Sequence, residues 1–165
     1  MKSKATTEAS LERELWELLF QHFQAEHRNW SAVCKEFGLT LPQAHLLRLL
    51  TKSSSMKMNV LADALDCDAS NITGLVDKLE TRGLIRRQLD REDRRVKLIA
   101  LTPVGAKITT KVLARLAEPS PSITELSLPD KKALYRIVGK MVLSKEAEAG
   151  ALPSVPISMR QRPRP

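Results

Sequence analysis

The sequence of 165 residues lacks the features of membrane, secreted and metal-binding proteins. It has no apolar run near the roughly 20 residues that a membrane-spanning helix needs. Its first residues have no apolar stretch behind their charges, so we expect no signal peptide. Cysteine is scarce, and Cys34 and Cys67 lie far apart in no metal-ligand spacing, which is typical of free thiols in a reducing compartment. We therefore expect a cytoplasmic protein that holds no metal.

Motifs of catalysis are missing as well. No Ser/His/Asp arrangement, glycine-rich phosphate loop or metal-ligand cluster stands out, so the sequence predicts a protein that is not an enzyme and needs no cofactor. His22 and His27 are five residues apart, which places them on different faces of a helix and not at a shared metal ion. Only six residues are aromatic, so few rings are available to line a ligand pocket.

Positive charge is in excess and unevenly distributed. The net charge is +8. Residues 1–81 carry 9 basic and 11 acidic side chains, whereas residues 82–97 carry 7 basic and 3 acidic ones. Half of the excess charge therefore lies in sixteen residues. A local basic cluster on an otherwise balanced chain points to a polyanionic partner.

The apolar pattern predicts a mainly helical fold. Thr40 and Gln43 have the spacing of a capping box at the start of a helix. Asp68 is a suitable N-cap for a later helix, and Gly83 is a suitable stop after it. Apolar residues recur at helical spacing at about 10–29, 41–50, 59–65, 68–82, 102–117 and from 127 onward.

Between the fourth and fifth of these helices the pattern changes to that of extended strands. Residues 84–89 and 95–101 are predicted to form two strands around a charged turn, which together make a hairpin. Two short helices joined by a tight turn and followed by a hairpin form a helix-turn-helix with a wing. We therefore expect a mainly α, winged-helix (α+β) fold with about six helices and a wing of two to three strands.

The fourth helix has the properties of a helix that reads DNA. Its apolar stripe consists of Ile72, Leu75, Val76 and Leu79. The other side carries small and polar residues, which let a helix approach the bases of a major groove about 12 Å wide, and arginines of the hairpin can enter a minor groove. The alternative is that the charged residues of the hairpin form an ordinary solvated surface. The position of the hairpin directly after a helix pair disfavours this alternative. The candidate DNA-binding residues are Ser70, Asn71, Thr73, Gly74, Lys78, Arg86, Arg91, Arg94 and Arg95.

Two acidic residues in the turn of the hairpin need a separate explanation, because carboxylates repel phosphate. Asp90 and Asp93 are suited to hold an arginine of the same turn in place through a bidentate ion pair. They are therefore candidate wing-bracing residues and not DNA contacts.

Five segments of the chain resemble the MarR family of bacterial transcriptional regulators in sequence, order and spacing. The resemblance extends over about residues 11–143, and its most specific parts are the last two segments. The segments are Leu61-Ala-Asp-Ala-Leu65, Ser70-Asn-Ile-Thr-Gly-Leu-Val-Asp-Lys-Leu-Glu80, Arg82-Gly-Leu-Ile-Arg86, Asp90-Arg-Glu-Asp-Arg-Arg95 and Leu101-Thr-Pro-Val-Gly105.

This resemblance implies a homodimer that binds double-stranded DNA at a pseudo-palindrome, with one recognition helix per half-site. It implies that residues 1–40 and 102–149 hold the dimerisation helices and that 41–101 form the DNA-binding lobe. Residues 150–165 are rich in proline and arginine, so we expect them to form a flexible basic tail. The resemblance further implies that Arg94 contacts the minor groove, braced by Asp90 or Asp93. We expect a repressor, because a dimer that covers a promoter blocks polymerase without further contacts.

The resemblance also raises the question of a ligand. Many members of the family respond to small aromatic or phenolic molecules, which bind between the dimerisation helices and the DNA-binding lobe. Aromatic residues at helical spacing are nevertheless more often part of a core. The candidate ligand-pocket residues are Trp16, Phe20, Phe23, Trp30 and His45.

Two other functions stay open. Cys34 or Cys67 could make the chain a redox-responsive regulator, although neither is predicted to lie in the first helix and a structural thiol is the simpler role. The winged helix could also bind protein and not DNA, but such a module would not need the arginine-rich tip of the hairpin. The role of the basic tail is open as well.

Overall fold

A computed structural model of the chain describes residues 2–90 and 96–148. These residues form two compact units, one that ends at Glu118 and one that begins at Pro119. Within the described residues, the first unit contains α1 (Lys2–Glu36), α2 (Leu41–Leu50), β1 (Met56–Lys57), α3 (Met58–Ala64), α4 (Ala69–Thr81), β2 (Ile85–Leu89), β3 (Lys97–Leu101) and α5 (Pro103–Leu116). The second contains α6 (Pro121–Thr124) and α7 (Leu128–Glu148). The predicted winged-helix fold is confirmed. None of the described helices combines the length and the apolar composition needed to cross a bilayer.

Helix α1 is longer than predicted. The apolar spacing predicted a helix over 10–29, whereas the helix runs over Lys2–Glu36. The sequence has no glycine or proline before Gly38, so nothing interrupts the helix where its apolar pattern fades. Gly38 adopts φ +65°, and its amide donates to the Lys35 carbonyl at 2.9 Å, which ends the helix. Cys34 therefore lies inside α1, which corrects the expectation that neither cysteine belongs to the first helix.

Helices α2 and α4 begin and end at the predicted signals. The Thr40 amide donates to Gln43 Oε1 at 2.9 Å, and the Gln43 amide donates to Thr40 Oγ1 at 3.4 Å, so the predicted capping box is confirmed. Asp68 occupies the N-cap position of α4, but its carboxylate accepts no capping hydrogen bond from the described residues of that helix, contrary to expectation. Gly83 follows α4 with φ +66°, as predicted for a glycine that ends a helix.

The wing is a three-stranded antiparallel sheet in the order β1-β3-β2. Strand β2 pairs with β3 from Ile85 opposite Leu101 to Leu89 opposite Lys97. The sequence did not predict β1 or the single turn of α6, because neither is long enough to show a periodic pattern. Residues 91–95, which include the predicted tip, lie outside the described residues.

One apolar core holds the first unit together. It takes side chains from the end of α1, from α2, α3, α4 and α5, and from strands β2 and β3. Because three side chains of α4 are buried in it, the core fixes the orientation of that helix against its neighbours. Its large, fully buried apolar residues are Leu39, Leu46, Leu47, Leu61, Ile72, Val76, Leu79, Leu84, Ile85, Ile99 and Val112.

The junction between β3 and α5 contacts the turn between α4 and β2. Thr102 caps α5 by accepting from the Gly105 amide at 3.0 Å, and its hydroxyl donates to the Gly83 carbonyl at 2.7 Å. The Thr102 amide donates to the Leu84 carbonyl at 3.0 Å. A Cβ atom at position 105 would stand 1.8 Å from that same Leu84 oxygen. The Leu-Thr-Pro-Val-Gly segment therefore packs against the turn between α4 and β2, and this packing requires a glycine at the last position of the segment.

Replacing Gly105 with alanine is expected to destabilise the fold by about 3 kcal/mol or more, because two backbone segments must separate to admit the methyl group. Urea unfolding followed by circular dichroism measures the loss. Gly74→Ala is the matched control, since a Cβ there meets no described atom within 4 Å. That change is expected to stabilise α4 by about 0.5–1 kcal/mol. Equal stability of the two variants would contradict the steric role of Gly105.

Candidate nucleic-acid interface

Helix α4 buries one stripe and presents another to solvent. Ile72, Val76 and Leu79 are buried, and Leu75 is half-buried. The predicted DNA-reading side chains of Ser70, Asn71, Thr73 and Lys78 are exposed on the remaining surface of the helix, and Gly74 lies among them. Because Gly74 carries no side chain, the backbone of α4 is accessible at the centre of this exposed surface.

The exposed residues of α4 occupy two flanks. Ser70, Asn71, Gly74 and Lys78 line a cleft beside α2. Asp77 and Glu80 lie on the other flank and face the wing strand β2. The four residues of the first flank include no acidic side chain, but Asp68 at the N-cap places a carboxylate at the positive end of the helix dipole.

Arg87 joins α4 to the wing. Its guanidinium lies 2.5 Å from Asp77 Oδ1 and 2.5 Å from Glu80 Oε2. Its backbone amide also donates to Glu80 Oε1 at 2.9 Å. The hydrogen bond with Asp77 raises the pKa of Arg87, burial opposes that shift, and Glu80 adds to it. Three contacts with two carboxylates therefore fix the orientation of β2 relative to α4.

The sequence did not single out Arg87, because nothing local shows that residues 77, 80 and 87 meet. The available signal is the presence of Asp77 and Glu80 on a helix that is predicted to read DNA, because carboxylates there repel phosphate unless a cation pairs with them. Asp90 and Asp93 are predicted to brace Arg94 for the same reason. Asp90 is half-buried, and its amide donates to the Val96 carbonyl at 3.0 Å.

The predicted wing residues fall into two groups. Arg86 is exposed on β2, as a DNA contact requires. The others lie outside the described residues and stay predictions: Arg91, Asp93, Arg94 and Arg95.

The cleft beside α4 has a volume of about 580 Å³. Four of its lining residues are predicted DNA contacts, so the cleft opens on the surface that would face a groove. Of the five predicted ligand-pocket residues, His45 is the one that lines it. Burial lowers the pKa of His45, and the nearby charges of Arg48 and Lys52 add to the shift. The lining residues are His27, Leu41, Pro42, His45, Leu65, Cys67, Ser70, Asn71, Gly74, Leu75 and Lys78.

The aromatic residues of α1 lie elsewhere. Trp16, Phe20 and Phe23 are exposed, with 69%, 53% and 56% of their surface accessible. Trp30 is half-buried and meets Phe23 edge to face, with ring centroids 6.0 Å apart. These residues form an apolar surface on α1 and do not line the cleft beside α4.

The two cysteines differ in their surroundings. Both are free thiols in the described part of the chain. Cys34 is fully buried, and burial raises its pKa, which disfavours the reactive thiolate. Cys67 is half-buried in the tight turn before α4 and lines the cleft.

Comparisons with known proteins agree with this geometry. The model of the MarR family matches residues 39–97, which extend from α2 into the wing. The HTH-type transcriptional regulator YfiV of Bacillus subtilis is 29% identical over 141 residues, which cover 85% of this chain and 87% of YfiV.

Solved structures share the fold. MepR, a transcription regulator of the Staphylococcus aureus multidrug efflux pump MepA, has a TM-score of 0.70 at 24% identity, covering 78% of this chain and 96% of its own. The apo form of MarR from E. coli has a TM-score of 0.67 at 20% identity, covering 77% and 96%. At these identities the two structures establish a likeness of fold.

Replacing Arg87 with methionine is expected to destabilise the first unit by about 1–2 kcal/mol, because Asp77 and Glu80 lose their shared cation and repel each other. Urea unfolding measures the change. The matched control is Arg86→Met, one residue away on the exposed side of β2, which is expected to change stability by less than about 0.5 kcal/mol. A loss that is equal for both variants would show that the contacts of Arg87 do not hold the wing.

Proposed function

We propose that this chain is a winged-helix transcriptional regulator of the MarR family, and that it represses transcription as a homodimer bound to a pseudo-palindromic operator. Each protomer places α4 in the major groove of one half-site and the arginine-rich tip of the wing in the adjacent minor groove. The chain acts in the cytoplasm as a regulator and not as an enzyme.

The observation that carries this proposal is the exposed surface of α4. Ser70, Asn71 and Thr73 offer side chains that can hydrogen-bond to base edges or phosphates. Gly74 lets the helix sink into the groove, since no described atom lies within 4 Å of the position that a Cβ would take there. Lys78 and Arg86 add positive charge on either side, which attracts the phosphate backbone.

Exposed apolar side chains support the homodimer. A monomer in water would leave two helices with several large apolar residues uncovered, and surfaces of this kind usually mark a protein interface. We assign residues 1–40 and 102–149 to dimerisation and 41–101 to DNA binding, followed by a basic tail. The exposed residues are Leu11, Leu15, Trp16, Leu18, Phe20 and Phe23 on α1, and Tyr135, Ile137, Val138, Met141, Val142 and Leu143 on α7.

The cleft beside α4 supports control by a small ligand. Its volume of about 580 Å³ is ordinary for a small-molecule site. Leu41, Leu65 and Leu75 give it apolar walls, and Lys78 supplies one cation, which suits an aromatic or phenolic molecule with an acidic group. Since the cleft shares four residues with the DNA-reading surface, such a ligand weakens DNA binding, and DNA weakens ligand binding by the same factor.

Selection of bound duplexes from a random DNA pool tests the function. We expect an enriched palindrome whose half-site centres lie about 10–10.5 base pairs apart, or a multiple of that spacing. A protein-binding module would enrich no sequence, and its association with DNA would show no steep dependence on salt. Absence of an enriched duplex would overturn the proposal.

Replacing Arg94 with alanine is expected to weaken binding to the selected duplex and to reduce the salt slope by about one unit, because one minor-groove cation is lost. Titrations at several salt concentrations measure both effects. Lys107→Ala is the control, since Lys107 is exposed on α5 and lies outside the proposed interface. Wild-type affinity and slope in the Arg94 variant would remove this residue from the interface.

A further inference from the structure

The side chain of Arg82 connects the end of the recognition helix to the end of α1. Arg82 is the residue directly after α4. Its Nη1 donates to the Gly38 carbonyl at 2.5 Å, and its Nη2 donates to the Phe37 carbonyl at 3.0 Å. These carbonyls lie 44 and 45 residues earlier in the chain, in the turn that ends α1. One planar group therefore bridges two helices that are distant in sequence.

Electrostatics favour a cation at this position. Arg82 directly follows the C-terminal end of α4, and its guanidinium contacts two carbonyls in the turn after α1, so it lies close to helix ends that the dipole makes partly negative. A guanidinium with two N–H donors in a fixed geometry holds two successive carbonyls at a defined distance and angle. An ammonium group would supply the same charge but no such pair of directed bonds.

The turn after α1 is shaped to receive this side chain. Gly38 has φ +65°, which a residue with a side chain rarely adopts. A Cβ at position 38 would stand 3.3 Å from Arg82 Nη2, so the glycine also leaves room for the guanidinium. Both partners of the contact are therefore specific: a left-handed glycine turn on one side and a guanidinium on the other.

Helix α1 gives this contact mechanical importance. It runs unbroken for 35 residues, a length of about 50 Å. Its last turns are held in the core through Val33 and Cys34, whereas residues 7–29, here called the arm, are largely exposed. A tilt of about 10° at the base moves the far end of a helix of this length by about 9 Å. A small change in the tilt angle at the base of α1 therefore causes a large displacement at the far end of the arm.

We propose that Arg82 is a positioning residue that fixes the angle between the arm and the recognition helix, and that it thereby sets the half-site spacing that the dimer accepts. The inference rests on the proposed function, in which the two arms belong to the dimer interface. With the arms held together, the angle at each base determines the separation of the two α4 helices. Loss of the Arg82 contact lets each recognition helix settle over a wider range of positions.

The experiment compares affinities for a panel of duplexes that carry the selected palindrome with base pairs inserted or removed between its halves. Each base pair moves one half-site by about 3.4 Å and turns it by about 34°. Wild-type protein is expected to prefer one spacing. Arg82→Ala is expected to reduce that preference by about fivefold or more, with the salt slope unchanged because no phosphate contact is lost. Arg82→Lys keeps the charge, and its spacing preference is expected to lie between those of the wild-type protein and the alanine variant.

Two further measurements separate positioning from other roles. Lys35→Ala removes an exposed cation from the same end of α1 and is expected to keep the wild-type spacing preference. Urea unfolding of every variant shows how much stability each change costs, and Arg82→Lys alone suffices for the test if the alanine variant does not fold.

Two outcomes would overturn the inference while leaving the proposed function intact. One is a wild-type spacing preference in both Arg82 variants. The other is a loss of affinity that is uniform over all spacings and accompanied by a lower salt slope, which would make Arg82 a phosphate contact. If wild-type protein itself shows no preferred spacing, the proposed binding of a dimer to a palindrome fails, and the inference fails with it.

Discussion

The approach of α5 to the turn between α4 and β2 is the constraint on which the arrangement of α4 and the wing depends. Gly105 lies so close to the Leu84 carbonyl that only a hydrogen atom fits between the two backbones. The Thr102 hydroxyl stabilises both partners of the contact. It caps α5 by accepting from the Gly105 amide, and it donates to the Gly83 carbonyl. Because α4 ends and β2 begins at this turn, the contact holds the end of the helix and the start of the wing against α5.

The charges around α4 are organised by the same geometry. Two carboxylates beside a surface that is proposed to bind DNA would repel phosphate if no cation were near them. Arg87 contacts both Asp77 and Glu80, so one of their two negative charges is balanced within the protein and both contacts hold β2. Arg86, the next residue on the strand, faces solvent. Successive residues of a strand point to opposite sides, which lets one arginine contact α4 while the adjacent one faces solvent, where it is proposed to contact DNA.

The sequence predicted those features that depend on neighbouring residues. The capping box of Thr40 and Gln43 and the glycine stop at Gly83 are local signals, and both are found in the structure. The full length of α1 and the strand β1 were missed, since neither is marked by apolar periodicity. The roles of Arg82 and Arg87 were also missed. Each contacts residues brought close by the tertiary fold, and no spacing in the sequence encodes that proximity.

The cleft beside α2 and the exposed surface of α4 share Ser70, Asn71, Gly74 and Lys78. This overlap has an evolutionary consequence. A substitution at Asn71, for example, reshapes the wall of the cleft and the exposed surface of α4 in a single step. The two surfaces are therefore not free to diverge independently within a lineage. If the proposed function holds, a descendant that acquires a different ligand at the cleft also changes residues that face DNA, unless it compensates elsewhere on α4.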